Sequence, residues 1–535
     1  MKKSQSFLKG VLLLSAAGII VKFFGFIYRV ILTNLPGYGD EGNGIYGAGF
    51  QVYLVLYALS TTGFPAAIAK LVAEKTAHRD WRGAHKIFKV SFWMLFSTGI
   101  ILSLVFFISS KYIAEAISNS RTVYTMIAIS PTIFFVSVMA VFRGYFQGLQ
   151  DMSPQAYSQI IEQLGKTIFT IGLAWLLLPY GTEIAAAGAT LGTTIGAAIG
   201  AVYLWSLYNR RKRDLWANIR SNRTRKKEDS AGRIIKNLIK IALPISMGAV
   251  ILTVTNIIDL GTVMLQLKKA GFSSRSANEL YGILTGKCYV LTHFPVSITI
   301  ALATSLVPAI AGSMAVGNYR AAANKISASL RLTVLISLPA SFGMAILAKP
   351  ILNMLFPSTS DGAVLLALSS FTIIFMGLTQ TLSGILQGLG KVFIPALSLL
   401  VGAVAKLLIN YTLISVPSVN VKGAVYGTLV CYIISTVICM VMLARNFKLN
   451  LNLYNFIIKP VAATIVMGFS TYFTYYWILD MTGSSSTGTM VSILVSVFVF
   501  GLSIVVIGGV SKNDIYALPF GENVGKILNR TGLMR

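Results

Sequence analysis

The sequence predicts an all-α membrane protein of about 14 transmembrane helices, with two six-helix lobes related by a pseudo-twofold axis along the membrane normal and two extra C-terminal helices. Three observations predict it: scarcity of charge, apolar runs from end to end, and an internal repeat. Of 535 residues only 12% are charged and 55% are hydrophobic. A soluble domain carries roughly 25% charged residues, so this chain has too few to solvate an ordinary surface. Its apolar runs recur at the length of about 20 residues that crosses a bilayer. Each must be helical, because an open strand or loop leaves its backbone groups unsatisfied in lipid.

The runs fall near 7–33, 45–74, 87–109, 121–149, 155–179, 184–208, 234–265, 279–314, 323–348, 362–389, 392–416, 422–445, 453–478 and 488–510. The first follows Lys2 and Lys3 as a signal peptide would. It runs past Ile31 with no small-residue cleavage site and contains Lys22 and Arg29, so it reads as a retained span. An even number of spans puts both termini on one side.

Loop charge sets that side. The net charge is +28, but the basic residues lie mostly in loops, which is the positive-inside pattern and not a nucleic-acid surface. Lys75, Arg79, Arg82, Lys86 and Lys89 follow span 2, against Asp80 alone. Arg210, Arg211, Lys212, Arg213, Arg225, Lys226 and Lys227 crowd the connection after span 6; Arg320 and Lys325 follow span 8. Lys512, Lys526, Arg530 and Arg535 lie in the tail. All are expected in the cytoplasm, whereas the first loop has Asp40 and Glu41 and no base. Lys268, Lys269 and Arg275 dissent, falling on the expected outside. Cys288, Cys431 and Cys439 lie in apolar runs without metal-ligand or disulfide spacing.

The repeat has three strings. ALSTTGFPAAIA at 58–69 answers to ALATSLVPAIAG at 301–312, RGYFQGL at 143–149 to SGILQGL at 383–389, and GATLG at 188–192 to GAVYG at 423–427. The offsets are 243, 240 and 235, in constant order, and Lys166 and Lys406 follow their QGL strings at equal distance. A unit of six helices repeats with the same orientation, as parallel repeats do. The expected organisation is a lobe over 1–208, a basic cytoplasmic linker over 209–233, a second lobe over 234–446, two added helices over 447–511 and a cytoplasmic tail over 512–535. The linker is a solvated connector, or else it recruits lipid headgroups.

SFLKGVLLLSAAGIIVKFFGFIYRVIL, GYGDEGNGIYG and GFPAAIAKLVAE resemble the SpoVB-type and MurJ-type branch of the multidrug/oligosaccharidyl-lipid/polysaccharide exporter superfamily. The resemblance covers essentially the whole chain. It implies two facing six-helix lobes around a central cavity, with spans 13 and 14 forming a groove for a lipid tail. It implies movement of lipid II or a related undecaprenyl-linked lipid to the outer leaflet of the bacterial inner membrane, for peptidoglycan, spore cortex or polysaccharide. Its implied partners are that lipid, the bilayer, Na+ or H+ as coupling ion, and cell-wall synthases. The cavity arginines of Gram-negative members fall on Lys22, near Tyr28 with Arg29 next to it, near Tyr57, and near Val290 with Lys287 one turn away. The chain therefore departs from that pattern while remaining cationic.

A pyrophosphate head needs a sheltered positive path. An isolated Lys or Arg at mid-bilayer costs about 2.5–3.5 kcal/mol, so those that persist face water or a partner. Lys22 and Arg29 share a face of span 1; the alternative is that they snorkel. Arg143 and Gln147 lie four apart in span 4, near the inner end, and Arg143 joins the candidate cavity cations with Lys166 and Lys287. Gln159, Glu162, Gln163 and Lys166 stripe span 5, where Glu162 and Lys166 are spaced to pair. Asn256 and Asp259 in span 7 and Lys406 and Asn410 in span 11 form a candidate coupling group, Asp259 meeting Lys406 either functionally or as a structural bridge. His293 is a proton sensor or a packed residue. Pro65, Pro308 and Pro395 bend spans, and Pro65 and Pro308, matched in the repeat, are hinge candidates or static kinks.

No GxxxxGK[ST] loop, nucleophile elbow or Cys/His cluster occurs, so no enzyme, cofactor or resident metal is expected; the resemblance implies a transporter. A cation-coupled drug exporter and a non-transporting envelope scaffold are the rival readings.

Overall fold

The computed structural model describes residues 2–221, 229–445, 447 and 454–509, all of whose elements are helical. Arg225, Lys226, Lys227 and the tail from 512 lie outside the described residues. Twelve helices among those described are long and apolar enough to cross a membrane, each matching an expected run. The other two expected runs, 7–33 and 234–265, fall in helices of 32 and 39 residues.

The chain divides into two compact units, residues 1–282 and 283–535. The first holds α1 Lys2–Thr33, α2 Gly39–Ala58, α3 Phe64–Ala77, α4 Trp81–Ala116, α5 Val123–Ile129, α6 Thr132–Gly148, α7 Ser153–Leu177, α8 Thr182–Ser221, α9 Ala231–Lys269 and α10 Ser274–Gly282. The second holds α11 Tyr289–Ala315, α12 Tyr319–Ile346, α13 Ala348–Leu355, α14 Ala363–Ser370, α15 Thr372–Gly388, α16 Phe393–Leu413, α17 Lys422–Ala444, α18 Lys459–Thr482 and α19 Ser485–Val506. The expected lobes divide the chain by repeat; the compact units divide it by packing, and α9 and α10 pack with α2, α3 and α4.

The repeat appears in helix boundaries. Asp80 caps α4 by accepting from the Gly83 N–H at 2.8 Å, and Asn318 caps α12 by accepting from Ala321 at 3.0 Å. These caps are 238 residues apart, as are the starts of α4 and α12. Downstream, the starts of α5 and α14, α6 and α15, and α7 and α16 each differ by 240. Glycines fix the register of the neighbouring helices. A Cβ on Gly144 would lie 2.7 Å from the Pro65 carbonyl oxygen, and one on Gly384 would lie 2.5 Å from that of Ala303. Pro65 therefore answers to Ala303. Pro308 stands five residues further along α11, and the offset of 243 is corrected to 238. The QGL strings keep their offset of 240.

The two ends of the first unit carry different charge networks. At one end Arg121 bridges Glu41 at 2.5 Å and Glu183 at 2.6 Å, and Arg275 pairs with Glu41 and Glu279. Lys268 donates to the Ser118 carbonyl. Lys268 and Arg275, two of the dissenting bases, are thus held locally. At the other end Lys75 pairs with Asp229 at 2.7 Å, and Arg211 with Asp151. The Lys75 hydrogen bond holds the Asp229 carboxyl below the usual carboxylate range.

Candidate functional site

The first unit gathers its charged residues along α2. Tyr46, Phe50, Tyr53 and Tyr57 recur at intervals of four, three and four, which places them on one helical face. Their rings form a continuous row, with successive centroids 5.6, 5.5 and 5.6 Å apart. This row was legible as a spacing, yet the charged residues are what sequence reasoning selected.

Arg29 of α1 lies over Tyr46, with its Cζ 4.6 Å from the ring centre. It donates to Asn43 at 3.3 Å; Asn43 donates to Thr33 at 2.6 Å, and Thr33 donates back to the Arg29 carbonyl at 2.7 Å. Arg29 is only 8% exposed, so its guanidinium is buried within the protein. Lys166 of α7, 9% exposed, has its Nζ 4.3 Å from the Phe50 ring centre and 5.1 Å from that of Tyr28. Tyr28 and Tyr46 share a hydroxyl contact at 3.3 Å. Among the described residues neither Arg29 nor Lys166 makes an ion pair. A cation over an aromatic face gains about 2 kcal/mol or more when desolvated, which offsets only part of burying it.

Further along the row, Arg143 of α6 pairs with Glu162 of α7 at 2.8 Å and donates to Ser158 at 3.0 Å. Glu162 thus takes Arg143, and Lys166 takes the rings, in place of the expected Glu162–Lys166 pairing. Gln159 and Gln163 are half-buried on α7, and Gly25 of α1 packs beside Gln163. Lys22 is exposed on α1, two turns before Arg29. Asp259 and Asn256 lie on α9, the former buried.

The second unit places its predicted residues differently. Lys287, in the π-turn Ile283–Cys288, is fully buried. It donates to the carbonyls of Thr359 and, at 3.3 Å, Asp361, and lies 5.5 Å from the Phe356 ring. It clamps the connection between α13 and α14. His293 is exposed on α11 beside Tyr289. Lys406 and Asn410 are buried on α16 against Gly427 of α17. Arg331 of α12 and Lys459 of α18 donate to the carbonyls of Gly509 and Gly508 beyond α19, where cations complement the helix dipole.

Residues 7–314, more than half of the chain, match the polysaccharide biosynthesis protein family. The chain belongs to that family. Residues 287–412 of this family member also match the MatE family. It is 25% identical over 528 residues to stage V sporulation protein B of Bacillus subtilis (strain 168), covering 98% of this chain and 99% of that one. It is 28% identical over 480 residues to the lipid II flippase MurJ of the same organism, covering 87% of each. Its fold is similar to a solved inward-closed lipid II flippase MurJ, with TM-score 0.67 and 14% identity over 92% of this chain and 98% of that one. An inward-facing multidrug resistance transporter also gives 0.67, at 14% identity over 82% and 99%. This family member is a multi-pass membrane transporter of the multidrug/oligosaccharidyl-lipid/polysaccharide superfamily, in its SpoVB/MurJ branch. The matched region that defines the family contains Lys22, Arg29, Arg143, Lys166 and the whole aromatic row.

Proposed function

We propose that the protein is a flippase that moves an undecaprenyl-pyrophosphate-linked glycan precursor, lipid II foremost, from the inner to the outer leaflet of the bacterial cytoplasmic membrane. The observation that carries this is the pair Arg29 and Lys166, buried on aromatic faces with no ion pair among the described residues. Arg29 has five N–H donors and Lys166 three, so this pair is equipped to take phosphate oxygens. The names of the two Bacillus relatives, one a lipid II flippase and one a sporulation protein, support an envelope precursor as cargo. Lys22 would meet the head on entry, α18 and α19 would shelter the prenyl chain, and both termini would lie in the cytoplasm. Movement would follow alternating access, driven by Na+, H+ or the membrane potential, with Asp259 as the carboxylate that takes the ion.

A drug exporter coupled to cations calls for acidic groups that hold organic cations. Along the aromatic row the only carboxylate in an ion pair among the described residues is Glu162, already held by Arg143. The test is depletion with rescue in a bacterium that depends on such a flippase, scoring which leaflet holds lipid II. Rescue by the wild type with lipid II in the outer leaflet is expected. Lipid II retained inside despite full expression would sink the reading.

A further inference from the structure

The helix that carries the aromatic row is interrupted just past it. Between α2 and α3 lies a π-turn, Leu59–Gly63. Such a turn holds an extra residue. One residue corresponds to about 100° of helix rotation, so the turn decides which way all of α2 faces relative to α3. It also leaves backbone carbonyls without their usual partners. The Leu59 carbonyl accepts from the Ser246 hydroxyl of α9 at 2.8 Å, and Thr61 donates to the Tyr57 carbonyl at 2.8 Å. Ser246 is buried. Gly63 lies against α9 so closely that a Cβ there would overlap the Ala242 carbonyl oxygen. Pro65, in the first turn of α3, lacks the N–H that would continue an α-helical ladder, which fixes the break at this point.

We propose that Ser246 and Gly63 are positioning residues: α9 keys into the π-turn, and the turn rotates the row Tyr46–Phe50–Tyr53–Tyr57 under Arg29 and Lys166. Ser246 touches neither cation; it acts through the Leu59 carbonyl. Withdrawal of α9 removes that donor, the turn relaxes toward α-helix, and the rotation carries Phe50 away from the Lys166 ammonium. Cover over the cation and the seating of α9 are thereby one coupled event. The proposal deepens the flippase reading and rests on it for its purpose, though its geometry can be read without transport.

The test uses the full chain in nanodiscs with Cys288, Cys431 and Cys439 replaced by alanine. Phe50→Cys with Lys166→Cys is bridged by a short bifunctional methanethiosulfonate. Ser246→Ala and Gly63→Ala are expected to lower bridging at least fivefold, and Ser246→Thr, which keeps the hydroxyl, to stay within twofold. In the background with Phe50 and Lys166 intact, transport is expected to fall in the same order. Unchanged bridging in Ser246→Ala overturns the proposal, as does Ser246→Thr failing as badly as alanine. If Ser246→Ala does not accumulate, Gly63→Ala decides by the same criterion. Bridging that responds as expected in a protein that moves no lipid-linked pyrophosphate leaves the positioning intact and removes the flippase reading.

Discussion

In α6 and α7, Arg143 and Glu162 form an ion pair with Ser158 beside it; 240 residues on, in α15 and α16, the same positions hold Ser383, Gly402 and Ser398. The polar stripe Gln159, Glu162 and Gln163 becomes Leu399, Gly402 and Ala403. Leu399 joins an apolar cluster with Val296, Ile373, Met376 and Cys431, and Ser398 bonds Ser435 at 2.8 Å. A Cβ on Gly402 would lie 2.5 Å from the Cys431 carbonyl oxygen, so α16 and α17 touch where α7 carries a carboxylate. The same helical frame is therefore a charged wall in one unit and a packed core in the other. Of the stripe only the lysine survives, as Lys166 and Lys406.

That difference can be broken from either side. Arg143→Met leaves Glu162 without its guanidinium in a mostly buried setting and is expected to destabilise by about 3 kcal/mol, as removing one partner of a buried pair does. Ser383→Ala, its counterpart, is expected to cost well under half of that. Thermal unfolding of the purified protein measures both. Equal losses would mean that the two walls are built alike.

Gly402→Ala sharpens the contrast from the packed side. The new methyl meets backbone, which cannot swing aside, and overpacking of this kind costs about 2 kcal/mol. The smallest effect is expected at Asp229, in the connection before α9. Asp229→Asn removes the pairing with Lys75, a half-buried contact still within reach of solvent that contributes about 1 kcal/mol or less. The carboxyl is held below its usual range, so its contribution is full above the unfolded pKa and is lost as pH falls through the folded one. Wild type and Asp229→Asn should therefore converge in Tm at acid pH and differ only above it.

Much of this organisation was legible. Twelve apolar runs coincide with twelve helices because a bilayer imposes length and apolarity locally. The QGL strings and the two lysines keep their offset because Gly144 and Gly384 both sit against a neighbouring backbone. The proline-centred strings were misregistered by five residues: Gly144 packs on the Pro65 carbonyl and Gly384 on that of Ala303, a packing contact that matching letters do not report. Arg143 meeting Glu162 across the α6–α7 turn, and Lys287 clamped on carbonyls 72 and 74 residues away, depend on tertiary placement that spacing along one helix does not encode. The expected Glu162–Lys166 pair obeyed the helical rule and lost to a guanidinium from the next helix.

The central claim is that a buried ammonium resting on aromatic rings, without a carboxylate, handles the phosphates of the cargo. Proteoliposomes holding the wild type, Lys166→Met or Lys166→Arg, loaded with an undecaprenyl-pyrophosphate disaccharide and assayed for transfer between leaflets, test it most directly. Lys166→Met is expected to lose at least tenfold in rate with Tm no lower than wild type, and Lys166→Arg to keep most of the rate. Transfer by Lys166→Met at the wild-type rate would contradict the account.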